Sequence, residues 1–428
     1  MIMWLFGETV KIGYNSFMKQ SELFTKTLRH LPADEETINA QFLTRAGFVD
    51  KLMAGVYSYL PLGLLTLKKI EMIVREEMDA IGGQEILMPI LHPAEIWKKT
   101  GAWTTVDVLF KIKSRTEKDY ALGQSEEEVV TPLVMAYVDT YKDLPKAVYQ
   151  IGWKFRDELR SKSGLLRGRE FYMKDMYSFH VDQPDFDRFY DIVKKAYLKI
   201  FERIGLVAKV TEASGGTFSQ KISYEFMVLT NAGEDNILYC DVCEFCVNED
   251  IAKRKSGDVC PKCNQGKLSQ AKASEVGNVF DLGQKYGKDF DLGFKDGNGK
   301  KQYPIMGCYG LGISRLMGVV VEKFHDEKGI IWPKAVTPVD LHLINIAKDR
   351  KIADKLYETL QTEGFSVLYD ETSVSAGEKF ANSDLIGIPT RVLVSDKTLK
   401  EDSVEIKARN SDKTQLVKIK ELVKNLKQ

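Results

Sequence analysis

What the sequence lacks narrows the field first. No apolar run approaches the roughly 20 residues needed to cross a bilayer, so no membrane is expected among the partners. The opening MIMWLF is apolar for only six residues, with no basic segment before it and no small-residue cleavage site after it. That makes it a poor candidate for a secretory signal. Met18 reads as a natural start, with residues 1–17 an N-terminal extension expected to be disordered. Net charge is absent too: 61 Lys+Arg stand against 61 Asp+Glu. A generally basic nucleic-acid coat is thereby excluded, while a local basic patch is not. There is no internal repeat, no Gly-Lys-Ser/Thr phosphate loop and no glycine spacing of the dinucleotide-binding kind. Six cysteines, five of them within residues 240–263, do not make a disulfide framework; they look like metal ligation in a reducing cytoplasm.

Over 428 residues, 44% hydrophobic and 29% charged content describe a folded protein of two to four domains. Residues 19–31 form a short amphipathic helix candidate, and 64–81 carry apolar residues at helical spacing before Gly82-Gly83 stops them. Gln84–Pro89 follows as a short strand whose proline belongs at an edge. Residues 107–113 and 119–122 read as a hairpin, 126–142 and 184–205 as helices. Three consecutive acids, Glu126-Glu127-Glu128, suit a helix N-terminus or a cation site.

The stretch 148–180 is the most informative. Val148–Leu159 and Arg169–Phe179 are aromatic and β-branched, separated by a basic loop with two glycines, which predicts an antiparallel hairpin. Arg156 and Glu158 are expected on one strand face, since side chains repeat every second residue. An arginine fork and a carboxylate beside a basic loop can bind a phosphorylated ligand; solvated surface charges are the alternative.

Cys240-x-x-Cys243 and Cys260-Pro-Lys-Cys263 form two knuckles that predict a tetrahedral thiolate zinc site, structural in kind. Cys246 is a spare. Residues 303–321 read as a strand, then glycines, then an apolar helix bearing Arg315; Gly307, Gly310 and Gly312 would let a ligand approach the backbone. After Trp332-Pro333 and Thr337-Pro338 the elements alternate between strand and helix, a small α/β domain. Its tail from Lys407 to Lys427 holds seven Lys/Arg against two acids.

Several of these segments together resemble class II aminoacyl-tRNA synthetases. Phe155-Arg-Asp-Glu158, a loop, then Arg167-x-x-x-Phe171-x-x-x-Asp175 is similar to motif 2. GCYGLGISR, Gly307–Arg315, is similar to motif 3, and the helix ending in Glu85-Ile-Leu-Met-Pro89 to motif 1. TRAGF, AGVYSYLPLG, REFYMKDMYSFH, EVGNVFDLG, GIIWPKAVTP and SAGEKF…DLIGIP narrow the resemblance to bacterial-type prolyl-tRNA synthetases, over about residues 18–428. The cysteine knuckles occupy the place of a large editing insertion, as in a short form.

The resemblance implies an α+β fold: an antiparallel sheet with flanking helices, a zinc-ribbon-like insertion and a C-terminal anticodon-binding domain. The expected boundaries are 18–239 and 273–335 for the catalytic domain, 240–272 for the insertion and 336–428 for the last domain. It implies ATP-dependent activation of L-proline and transfer to proline tRNA, by a cytoplasmic homodimer joined near Pro89, with magnesium on the phosphates. Arg156 and Arg315 would be catalytic. Arg156, Glu158, Arg167, Phe171, Gly312 and Arg315 would bind ATP. Ser125, Glu127, Arg156, Asn278 and Cys308 would bind proline, Ser125 and Glu127 standing for the family's Thr-x-Glu grip on the imino nitrogen. Cys240, Cys243, Cys260 and Cys263 would hold zinc. Asn278 replaces a usual His, Tyr224 departs from Ser-His-Glu-Phe, Ala102 replaces a familiar Arg, residues 160–163 read Arg-Ser-Lys-Ser, and Asp370-Glu-Thr replaces Asp-Asp-Arg. No hydrolysis of mischarged alanyl-tRNA in cis is expected. The competing readings are a paralogue that binds tRNA or nucleotide without charging, and a class II enzyme for another small amino acid.

Overall fold

Alternating apolar residues and long amphipathic helices assemble into two units, residues 28–325 and residues 326–428 with the N-terminal stretch up to Thr27. The computed structural model describes residues 17–30, 35–161, 163–216, 219 and 221–427. Residues 1–16 of the expected extension and Lys162 of the basic loop lie outside the described residues.

The first unit is built on a nine-stranded, mostly antiparallel sheet. Its strands are β1 (Gln84–Glu85), β2 (Lys146–Phe155), β3 (Glu170–His180), β4 (Lys209–Ser214), β5 (Ile222–Leu229), β6 (Asp235–Cys240), β7 (Cys246–Asn248), β8 (Leu268–Gly283) and β9 (Ile305–Gly312). Their order is β5-β4-β7-β6-β8-β9-β3-β2-β1, with a further pairing of β5 to β8. The sixteen-residue β8 makes this possible. Its residues 268–273 pair with β6, 273–279 with β5 and 277–283 with β9.

Helix α1 (Pro61–Ala80) starts with proline at its first position, where a missing N–H costs nothing. Helix α2 (Glu127–Met135) follows, then α3 (Gln183–Ile204), capped by Asp182 accepting from the Asp185 amide and ended by Gly205 at φ 95°. The face Phe186, Tyr190, Val193, Tyr197, Ile200, Phe201 and Ile204 of α3 is buried. Its rings pack on β5 and β9, with Tyr197 to Phe226 at 5.1 Å and Tyr190 to Tyr309 at 5.9 Å between centroids. Helix α4 (Ile313–Lys323) leaves β9 directly.

In the second unit β10 (Leu341–Asn345), β11 (Val367–Asp370) and β12 (Thr390–Val394) are parallel, with α5 (Lys351–Thr362) and α6 (Ala376–Ile386) between them. β13 (Ser403–Ala408) and β14 (Thr414–Lys418) extend the sheet antiparallel.

Some expectations are corrected. The helix predicted for 19–31 is instead a strand, Phe17–Lys19, and a short 3-10 turn. The strand pairs in parallel with Val367–Tyr369, so residues 17–27 join the second unit and not the catalytic one. The open edge of β11 supplies hydrogen bonds that outweigh a weak helical pattern. The helix expected over 126–142 ends at Met135, and Tyr141–Asp143 is a separate 3-10 turn held by Thr140 and Asp143. The insertion boundary at 272 falls inside β8, because the cysteine segment is threaded through strands of the main sheet. Among the described residues, no helix is long and apolar enough to cross a membrane.

Candidate active site

The β2–β3 ladder closes at Phe155 opposite Glu170. Beyond it the Arg156 amide still donates to Arg169 O at 2.8 Å, but the Glu158 amide turns back onto Arg156 O at 2.8 Å. Strand alternation therefore does not align Arg156 with Glu158; a tight turn past the strand does. Both residues still line one cavity of about 180 Å³, with Arg167, Glu234, Glu275 and Arg315. Within it Arg167 donates to Glu158 through Nε at 2.9 Å and Nη2 at 2.8 Å, and through Nη1 to Glu234 at 2.8 Å. Glu234 escapes sequence reasoning because it comes from the β5–β6 turn, far along the chain.

A second cavity, of about 240 Å³, is contiguous in residues with the first, sharing Arg156, Glu275 and Arg315. Ser125, Phe171, Asn278, Cys308 and Gly312 also line it. The Arg156 guanidinium lies over the Phe171 ring at 5.1 Å, and its buried Nε has no hydrogen-bond partner. Burial, then the neighbouring Arg315, lowers its affinity for its proton. Arg315 donates to Glu275 O at 2.8 Å and to its carboxylate at 3.3 Å. Two converging guanidinium groups repel one another, and a polyphosphate between them would relieve that repulsion. On the opposite wall burial, then the charge of Glu275, pushes the Glu225 carboxyl up to about 8. Asn278 approaches Glu225 at 3.5 Å, with its own side-chain oxygen buried and unpartnered.

The glycines of β9 divide by role. At Gly312 an added Cβ would come within 3.1 Å of Arg315 Cβ, crowding the arginine the cavity needs. At Gly307 it would meet the Tyr309 hydroxyl at 2.2 Å, so that glycine serves the core and not a ligand.

The three consecutive acids are all buried, and each meets a different environment. Glu126 bonds Lys154 at 3.0 Å and His92 at 2.8 Å. Glu127 accepts the Cys308 thiol at 3.0 Å through one oxygen, while its other oxygen is buried without a partner. Burial and the Glu127 carboxylate hold that thiol protonated, well above its usual range. Glu128 accepts from Thr100 at 2.9 Å and is pushed up to about 8 by burial and by Glu127. An unsatisfied carboxylate oxygen in a closed pocket costs free energy until a cationic donor reaches it. The dipole and cation readings are thus both too simple: Glu126 meets Lys154, Glu128 meets Thr100, and Glu127 lies behind Cys308 without itself lining either cavity. Lys154 and His92, fully buried partners of Glu126, were not singled out in the sequence, since nothing local marks a lysine in a strand as buried.

Away from these cavities, Cys240, Cys243, Cys260 and Cys263 place their sulfurs within 4.8 Å of one another. Cys240 to Cys263 is 3.7 Å and Cys243 to Cys260 is 3.6 Å. A zinc tetrahedron with bonds of about 2.3 Å has edges of about 3.8 Å, so the donor set fits. The Val242 and Gly266 amides point at Cys240 and Cys263 sulfurs at 3.4 Å, as knuckle amides supporting thiolates do. Cys246 is apart, accepting from Thr211. Pro89 lies outside both cavities, on an exposed segment with Leu87 and Leu91.

The arrangement joins two converging arginines, an aromatic face and, behind Cys308, a buried carboxylate. Comparison with known proteins gives it a family. Residues 110–324 match the tRNA synthetase class II core domain (G, H, P, S and T), and residues 336–428 an anticodon binding domain. The chain is 41% identical to a proline–tRNA ligase of Wolbachia (strain wRi) over 95% of this chain and 99% of that one. It is 38% identical to one from Ehrlichia chaffeensis over 96% of this chain and 100% of that one. A relative from Thermosipho africanus aligns at 35% over 545 positions, covering 92% of this chain and 97% of its own, so it carries residues this 428-residue chain lacks. In fold the chain resembles prolyl-tRNA synthetase from Cryptosporidium parvum, complexed with L-proline and AMP (TM-score 0.74, 18% identity, 91% of this chain and 74% of that one). It also resembles the Giardia lamblia enzyme in complex with prolyl-adenylate (TM-score 0.72, 19% identity, 89% and 74%). Near-complete coverage at this identity, over a site of this composition, leaves one family: the chain belongs to the proline–tRNA ligases, class II aminoacyl-tRNA synthetases, in a short form without the large insertion.

Proposed function

We propose that this chain activates L-proline with ATP and transfers it to proline tRNA. In the first step a proline carboxylate oxygen attacks the α-phosphorus, the bond to the β-phosphate oxygen breaks, and pyrophosphate leaves. In the second a ribose hydroxyl at the tRNA 3′ end attacks the prolyl carbonyl and AMP leaves. Neither step needs a covalent enzyme intermediate, so positioning and charge neutralisation carry the catalysis.

Arg156 holds the α-phosphate and the proline carboxylate between the two cavities, and Arg315 takes the distal phosphates. Phe171 offers its ring to adenine, and Glu158 accepts from the adenine amino group. Arg167 exchanges a carboxylate partner for phosphate, and Gly312 leaves room beside Arg315. Ser125 and Glu127 receive the imino nitrogen, with Cys308 and Asn278 completing the pocket. Magnesium bound with ATP would neutralise phosphate charge alongside Arg156 and Arg315. Cys240, Cys243, Cys260 and Cys263 would hold a structural zinc. Leu87 and Leu91, exposed around Pro89, supply apolar area for a homodimer. The anticodon is read by the second unit.

The observation that carries this reading is the single cavity lined by Arg156, Arg315 and Cys308, with the unpartnered Glu127 oxygen behind the thiol. A non-charging paralogue has no use for that combination. The test is charging of proline tRNA with radiolabelled proline. ATP-dependent, acid-precipitable label is expected; ATP binding without charging would favour the paralogue.

A further inference from the structure

Behind the proline pocket lies a chain of directed hydrogen bonds that the reaction does not use. Lys154, Asp175, Tyr177 and Glu126 are fully buried, and Ser125 nearly so. Lys154 Nζ sits 3.0 Å from Asp175 Oδ1 and 3.0 Å from Glu126 Oε1. The Tyr177 hydroxyl donates to Asp175 Oδ2 at 3.0 Å. It accepts the Glu126 backbone N–H at 2.8 Å, and Ser125 Oγ lies 3.3 Å from it.

A phenol has one proton and two acceptor positions. The Tyr177 proton goes to Asp175, since an ionised carboxylate can only accept. One acceptor position goes to the Glu126 N–H, which can only donate. The remaining contact is therefore Ser125 donating to Tyr177. With its proton committed backwards, Ser125 Oγ can only accept on the cavity side. Glu127 is under the same constraint: the Cys308 thiol donates to Oε1, and Oε2 remains an acceptor. A secondary ammonium carries two N–H donors and no acceptor, so two acceptors match it.

We infer that Tyr177, held by Asp175 and Lys154, is a positioning residue that fixes the hydrogen-bond direction of Ser125, so that Ser125 and Glu127 both present acceptors to the substrate nitrogen. The inference rests on the proline pocket proposed above. Lys154 keeps Asp175 in its accepting form. Burial already pushes the Asp175 carboxyl up to about 6 against the pull of Lys154. Without the lysine it would take a proton and donate to Tyr177. Tyr177 would then donate to Ser125, and the relay would run backwards. A buried ion pair is often no more stabilising than an apolar replacement, so direction is the reason to keep this one.

The test compares L-proline with (S)-tetrahydrofuran-2-carboxylate, whose ring oxygen accepts but cannot donate. In proline-dependent ATP–pyrophosphate exchange, Tyr177→Phe is expected to raise the proline KM about tenfold. The ATP KM should stay within about twofold, and the inhibition constant of the analogue should be unchanged or lower. Lys154→Met should show the same signature. Equal weakening of proline and analogue would mean a merely structural role and overturn the proposal, as would an unchanged proline KM in Tyr177→Phe. Ser125→Ala separates the two levels. If it leaves the proline KM unchanged, the pocket assignment fails and the relay with it. If it raises that KM while Tyr177→Phe does not, the relay alone fails.

Discussion

Replacing Glu127 with glutamine removes one charge from a fully buried position while keeping the shape. In the structure one oxygen accepts the Cys308 thiol at 3.0 Å and the other is unpartnered. In the function proposed above, that second oxygen would meet the proline ammonium. Breaking a buried charge pair costs about 3–5 kcal/mol. Glutamine keeps a carbonyl acceptor, so the lower end applies. At about 1.4 kcal/mol per factor of ten, that is a loss of about 10²-fold in kcat/KM for proline. Among the described residues Glu127 makes no direct ion pair; its charge favours the Arg156 cation but repels Glu128, so the melting temperature of Glu127→Gln should change little. The assay is ATP–pyrophosphate exchange at saturating ATP across a proline titration, with the ATP KM measured in parallel. A kcat/KM for proline within about fivefold of the parent, or an ATP KM that rises as much as the proline KM, would refute the assignment.

Metal analysis should find about one zinc per chain, falling to near zero in Cys260→Ser, with loss of the β6–β8 region's resistance to proteolysis. Retained zinc in that variant would contradict the four-sulfur site. In the second unit, Arg409 donates to Asp326 at 2.7 and 2.6 Å, which holds its carboxyl down at about 2. A depressed carboxyl stabilises the fold above its unfolded value near 4, and that contribution is lost as pH falls through about 2. Asp326→Asn should therefore lower urea stability at pH 7 and have a much smaller effect at pH 2; an equal effect at both would show that the charge is not responsible. Alanyl-tRNA(Pro) should persist when incubated with this chain alone, and its clearance would contradict the absence of cis hydrolysis.

The sequence made the hairpin, α3 and the cysteine knuckles legible because each is a local pattern: alternation, 3.6-residue periodicity, paired x-x spacing. What it hid is non-local. Residues 19–31 look helical, yet the described chain there pairs Phe17–Lys19 with the open edge of β11 and continues in a 3-10 turn. Arg156 and Glu158 seem aligned by strand alternation, yet the chain turns before alternation can act. Glu127 could not be separated from Glu126 and Glu128 by spacing, since what distinguishes them is whether Lys154, Cys308 or Thr100 faces the carboxylate. Tyr177 lies within a family-like segment and Lys154 within the hairpin, but their link to Ser125 through Asp175 becomes visible only when β2 and β3 pair. Arg156, Phe171 and Arg315 do converge, because motif-like spacing within a strand or at a helix start survives folding intact.

The most direct test of the account is ATP–pyrophosphate exchange with each of the twenty amino acids offered singly. The account predicts exchange with proline far above the rest. Exchange with none, or with another small amino acid in place of proline, would contradict it.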